Sequence, residues 1–290
     1  MSVIDLSKLP APVVIEELSF EDILDEMLDD LKERDAGLDI DETDPAYRVL
    51  EVAAYREMIR RQEQNERIRM LLAAYAAGAE LDHIGVTYYA TERLEIDPGD
   101  PDADPPEEPT MESDEDYLRR FLLAPDGWST AGPRDGYVYH ALSADADVKD
   151  ATAITEAPTE VTITILSREG DGEASQALQD KVEEATSAEE VRPQTDLVHV
   201  QSAEILPYEI VASLEVDPGP DPEVVREEAE ERIKEFVEEH HRLGMGVVRD
   251  AALAALYVEG VRRVNLELDE DIECDDTQAA FCTDIEVTLA

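Results

Sequence analysis

Residues Thr43–Gly78, TDPAYRVLEVAAYREMIRRQEQNERIRMLLAAYAAG, read as one long helix. Thr43-Asp44 ahead of Pro45 is a start signal: a capping side chain, then a proline in the first turn, where its missing N–H has no helical partner to lose. Gly78 stands where a helix-ending glycine is expected. A run from about Ala46 to Ala77 would span roughly 45 Å at about 1.5 Å per residue. Its ends are apolar (Val49, Leu50, Val52 and Ala53; Ile68, Leu71, Leu72 and Tyr75), and its middle, Arg60–Arg67, is wet. The spacing Tyr47, Leu50, Ala54, Arg61, Ile68, Leu71, Tyr75 is roughly heptad. Such a helix outruns a small domain, so part of it is expected to pack on another chain. The plainer alternative is packing within its own domain.

On the N-terminal side, residues 1–20 read as an extended arm. Ile4, Leu6 and Leu9 are apolar, and Pro10-Ala11-Pro12 holds the backbone away from helix. Ser19 then caps a short acidic helix to about Lys32, with Leu24, Leu28 and Leu31 as its apolar stripe. On the other side, a short helix begins near Ala79. The Asp- and Pro-rich stretch 97–109 reads as an exposed loop. A helix opened by Ser113 runs to about Leu123.

The rest reads as α+β. Helices are expected at 134–144, 174–186, 223–241 and 247–258. Strands are expected at 148–154, 161–166, 196–203, 208–216, 261–268 and 280–289. Val161-Thr162-Ile163-Thr164-Ile165 alternates as a half-buried strand should. A faint repeat links Arg134-Asp135 with Arg249-Asp250: each opens a helix, and each helix leads to two strands. The expected organisation is an arm (1–20), a long-helix bundle region (21–96), an acidic Pro-rich loop (97–111) and two small mixed α/β modules (112–204 and 205–290).

The charge restricts the partners. Asp and Glu number 73 against 24 Lys and Arg, a formal charge of -49. Such a surface repels nucleic acid and anionic membranes, which require clustered cations. Only Lys8, Lys32, Lys149, Lys181 and Lys234 are lysines. An acidic, Lys-poor chain fits a cytoplasm of high salt, where the Debye length falls to about 3 Å near 1 M and self-repulsion fades. No apolar run reaches the roughly 20 residues of a membrane helix, and the N-terminus does not read as a signal peptide. Cys274 and Cys282 are too few for a disulfide framework or a closed zinc site; their spacing allows a hairpin bridge, and two free thiols are the simpler reading.

Catalytic patterns are hard to find. His83, His140, His199, His240 and His241 form no HExxH motif, and adjacent helical residues such as His240 and His241 point about 100° apart. Asp100, Asp102 and Asp104 imitate a calcium loop, but Pro105 and Met111 stand where Gly and Glu are needed. The acidic run 269–276 reads as a solvated hairpin. The glycines cradle no phosphate, and no Ser sits in a GxSxG elbow. No catalytic residue, metal ligand or cofactor is assigned. Two rival readings are a soluble acidic enzyme, which needs a pocket with convergent polar groups, and an acidic binding module, which needs its carboxylates on one face.

Short segments from end to end carry a resemblance: Ile4–Pro12 (IDLSKLPAP), Glu16–Glu21 (EELSFE), Ala54–Ile59 (AYREMI), Ala76–Gly85 (AAGAELDHIG), Met111–Tyr117 (MESDEDY), Val191–Pro193 (VRP), Val200–Ala203 (VQSA), His241–Gly244 (HRLG), Val258–Val261 (VEGV) and Thr277–Thr283 (TQAAFCT). In this order they resemble the baseplate assembly protein J family of contractile-tailed phages and R-type pyocins. The resemblance implies a non-enzymatic wedge component of the virion tail, assembled in the host cytoplasm. Two copies would clasp one I-like wedge protein through long N-terminal helices, and neighbouring wedges would close a ring around the hub and spike at the sheath end. On that reading Leu50, Ala54, Ile68, Leu72 and Tyr75 form a helix-bundle interface, and Ile4, Leu6 and Leu9 dock the arm.

Overall fold

A computed structural model describes residues 6, 12, 16–35, 37, 40–219, 221–268 and 270–290. They fall into two compact units, Met1–Arg93 and Leu94–Ala290, of mixed α and β structure.

The first unit is helical. Ser19 caps α1 (Phe20–Arg34), its hydroxyl accepting from the Asp22 N–H at 3.2 Å. Asp44 caps α2 (Pro45–Met70), accepting from Ala46 N–H at 2.8 Å. The helix expected to reach Ala77 stops at Met70, because the chain tightens: the Leu71 N–H reaches back to the Ile68 carbonyl, and Leu72 to Arg69. At 26 residues α2 is about 39 Å long, by the same rise per residue. Gly78 does not close α2. It opens α3 (Gly78–Tyr89) with φ +54°, a left-handed turn into the new helix that side chains disfavour.

In the second unit the acidic loop is held at its base by a small hairpin of β1 (Glu95–Asp97) and β2 (Thr110–Met111). Gly99 lies so close to the Glu107 and Glu108 backbone that a Cβ would sit 2.5 Å from the Glu107 oxygen, so only glycine fits. Then α4 (Asp114–Gly127), capped by Ser113, and α5 (Arg134–Ala144) lead into the first sheet.

That sheet has the order β3 (Val148–Ala157), β4 (Glu160–Ser167), β5 (Leu197–Ser202), with α6 (Gln176–Thr186) crossing from β4 to its parallel neighbour β5. The central strand was expected to be half-buried. Its C-terminal half is buried on both faces, Thr164 and Leu166 included. The second module supplies the cover: Leu166 clusters with Ala203, Leu243 and Ala279.

One residue, Ala203, separates β5 from β6 (Glu204–Val216), the centre of the second sheet. α7 (Pro222–His240) and α8 (Arg249–Leu256) follow, then β7 (Val261–Leu266) and β8 (Gln278–Leu289), in the order β7-β6-β8. Alternate residues of β6, Ile210, Ala212 and Leu214, pack against Ala229 and Ile233 of α7 and Ala252 and Leu256 of α8. Each sheet thus has a central strand with an antiparallel neighbour on one side and a parallel one on the other. The repeat read from the sequence holds for α5-β3 against α8-β7, both of which supply the antiparallel edge. It fails one strand later: β4 is central, whereas β8 is an edge and the centre has been supplied earlier, by β6. Local sequence marks a helix and its strand but not which strand becomes its neighbour.

The modules are tied across their seam. Asp150, 1% exposed, accepts from Arg119 Nη2 at 2.7 Å and from the Leu243 N–H at 3.1 Å. The Thr152 hydroxyl donates to the Asp276 carbonyl at 2.5 Å.

Candidate assembly surface

Tyr47, Leu50, Ala54 and Met58 of α2 lie on one face, spaced by three and four residues. They pack beneath Phe20, Ile23, Leu24, Met27 and Leu28 of α1. Ala54 is fully enclosed. Further along the same face Arg61 and Asn65 take over. Asn65 exchanges two hydrogen bonds with the backbone of Glu16, at 2.9 and 3.2 Å. Arg61 bonds Glu57 at 3.2 Å and lies within 4 Å of Glu16 and Glu26. From Tyr47 to Arg61 the heptad-like spacing is therefore a seam within the chain.

Ala54 and Leu50, read as contacts to a partner, face α1 of the same chain. Ile68 is half-buried one turn beyond Asn65, Leu72 is half-buried in the turn after the helix, and Tyr75 is exposed there. Leu6 of the arm is half-buried; Ile4 and Leu9 lie outside the described residues. The surface that sequence reading missed is the other side of α2. Val49, Val52 and Tyr55 are 68%, 59% and 55% exposed, and Ile59 continues their line half-buried. At about 100° per residue this stripe is centred roughly 150° around the helix from the α1 seam. Its signal was present as apolar residues at spacings of three, but the heptad on the opposite face drew the reading away.

The other concentration of polar chemistry lies between the two sheet modules. Asp116 of α4 receives Arg242 Nη2 on one oxygen and Arg168 Nη2 on the other, both at 2.9 Å. Burial alone would raise the Asp116 pKa, but the two guanidinium groups outweigh it and hold the carboxyl below its ordinary range. His241 is buried beside them, its Nδ1–H donating to the Ala280 carbonyl at 2.8 Å; burial lowers its pKa. His240 instead turns to the Phe236 carbonyl of its own helix. The two histidines share no ligand position. Cys274 and Cys282 are free thiols packed against the second sheet's core, both with pKa values raised by burial. These contacts are structural ties; none of them assembles a nucleophile with its base.

Comparison with known proteins agrees with a structural role. Residues 42–100 match the Baseplate J-like N-terminal domain and residues 129–202 the Baseplate J-like central domain. Baseplate protein J of Escherichia phage P2 is 44% identical over 296 residues, spanning 99% of this chain and 98% of that protein. A cryo-EM structure of the anti-feeding prophage baseplate, 6-fold symmetrised, aligns with 61% of this chain at 12% identity and a TM-score of 0.38; the alignment spans 44% of that structure's chain. Near-complete coverage at this identity leaves one assignment: the chain belongs to the baseplate J family of phage tail baseplate proteins.

Proposed function

We propose that this chain is a wedge component of a contractile-tail baseplate, with no reaction of its own. Its α1–α2 hairpin would enter a helical bundle with a second copy of itself and one I-like wedge protein. Such units would close into a ring around the hub and spike, next to the sheath-proximal proteins, in a phage tail or a headless injection particle.

The observation that supports this is the outward stripe of α2. A two-helix hairpin that buries one apolar seam and leaves Val49, Val52 and Tyr55 in solvent has an unspent apolar face. Exposed contiguous apolar residues of this kind mark interaction sites. Ile68, Leu72 and Tyr75 would extend the contact past the end of α1, and the arm residues Ile4, Leu6 and Leu9 would dock on a neighbour.

The test is co-purification with the I-like protein from the same particle. Burial of each aliphatic side chain is worth about 1.5–3 kcal/mol. Val49→Asp with Val52→Asp should therefore weaken the complex by about 100-fold or more, at about 1.4 kcal/mol per tenfold, while the melting of the isolated chain stays unchanged. A complex that survives both substitutions removes the bundle from this face.

A further inference from the structure

Helix α2 runs against the charge of the molecule around it. It carries six arginines and four glutamates, in a chain with 73 acidic residues and 24 basic ones. Its partner in the hairpin, α1, carries seven carboxylates and two cations, and packs on the opposite side of α2 from the exposed stripe.

The arginines border that stripe. At about 100° per residue, Arg48 and Arg56 stand on either side of Val52, each about 40° away. Arg60 follows one turn on and is shared with Glu57 at 3.8 Å. Arg48 and Arg56 are exposed and form no hydrogen bond or ion pair with a described residue. Arg48 also stands where the helix itself opposes it. The dipole near a helix N-terminus favours carboxylates over cations, and the first turn of α2 has no carboxylate.

A second copy is a poor occupant for this face. Full overlap of two stripes brings Arg48, Arg56 and Arg60 of both copies to one seam, and like charges set against each other across an interface are costly. Glu63 and Glu66 lie past the end of the stripe and are already engaged, by Arg67 at 3.7 Å and by Gln62 at 3.3 Å.

We propose that the outward face of α2 seats an acidic amphipathic helix of a different chain. The apolar stripe of that helix covers Val49, Val52 and Tyr55, and its flanking carboxylates pair with Arg48 and Arg56. The inference rests on the reading that α2 enters a helical bundle, and adds which kind of member lies on this face. A guanidinium group takes a carboxylate bidentately, so orientation as well as charge is selected. Burial of the stripe carries the affinity, and the two arginines reject helices that lack acid beside it.

The material for the test is the full-length chain bound to the I-like protein from the same particle. With Tyr55 replaced by the photo-crosslinker benzoylphenylalanine, light should attach it to a helix of the I-like protein that has Asp or Glu on both sides of an apolar stripe. Arg48→Glu with Arg56→Glu should weaken the complex by about tenfold near about 0.1 M KCl, and by less near about 2 M. Arginine in place of the flanking carboxylates of the cross-linked helix should restore it. Arg48→Gln with Arg56→Gln should show a smaller loss and serves if the reversed chain fails to fold. Affinity unchanged in both arginine pairs overturns the proposal. If Val49→Asp with Val52→Asp still breaks the complex in that case, the bundle stands without it; if neither set matters, both readings fall. Attachment to α2 of a second copy, to a helix without flanking carboxylates, or to nothing also overturns it.

Discussion

Asp150→Ala should be among the most damaging single changes in the sheet-bearing unit. Asp150 is 1% exposed at the start of β3 and serves three donors at once: Arg119 Nη2 at 2.7 Å, its neighbour Ala151 N–H at 2.8 Å, and Leu243 N–H of the second module at 3.1 Å. Alanine removes every acceptor and adds none. Breaking a buried ion pair by deleting one partner costs about 3–5 kcal/mol. Arg119 is about a third exposed and regains some hydration, which pulls the figure down. The Leu243 N–H is buried and has nowhere to turn, which adds about 1–3 kcal/mol. A net loss of about 4 kcal/mol follows, or roughly 8–16 °C at about 2–4 °C per kcal/mol for a unit of this size. The assay is differential scanning calorimetry of the full-length chain, with Asp150→Asn alongside. Asparagine keeps one acceptor oxygen for Leu243 and loses the charge, so it should lie between wild type and alanine. A shift of less than about 2 °C for Asp150→Ala would refute the reasoning, because it would mean that the seam between the modules is not held by these bonds.

Ala54→Leu should weaken the α1–α2 hairpin by about 1–3 kcal/mol through overpacking, since Ala54 is fully enclosed beneath α1; loss of α-helical circular dichroism at lower denaturant is the measure. Asp116 has its folded-state pKa lowered, so its contribution is present above the unfolded value near about 3.9 and is lost as pH falls through the folded value. An acid titration of stability should therefore fall more steeply for wild type than for Asp116→Asn, with the variant less stable at neutral pH. In a KCl series from about 0.1 M to about 2 M the melting temperature should rise steeply, as the Debye length shrinks from about 10 Å to 3 Å or less and the charge of -49 is screened. A flat series would remove the case for a high-salt host.

Much of the element list was legible because its signals are local. Ser19, Asp44 and Ser113 each cap the helix they were read to open. Arg134–Ala144 is a helix over the span expected. The C-terminal limit of α2 was not legible. The sequence stays apolar through Tyr75, and Gly78 resembles a stop, yet the turn at Leu71 is set by the backbone bonds to Ile68 and Arg69. The candidate surface was half legible for the same reason: an apolar period shows that a helix face is buried, but not by what.

What the sequence by itself determined was most of the helix and strand inventory, the strong acidity, and a family resemblance carried by short segments along the whole chain. Capping, periodicity and charge depend on residues within a few positions of one another, so they are written locally. Only the tertiary structure decided that the Tyr47–Met58 face belongs to α1, that Val49, Val52 and Tyr55 look outward, and that β6 rather than β7 stands beside β8. It also brought Lys149, Arg168 and Arg242 into one groove from elements far apart in the chain. Those outcomes are contacts between distant residues, fixed by which buried surfaces and donors find partners at the least cost, and no local pattern records that competition.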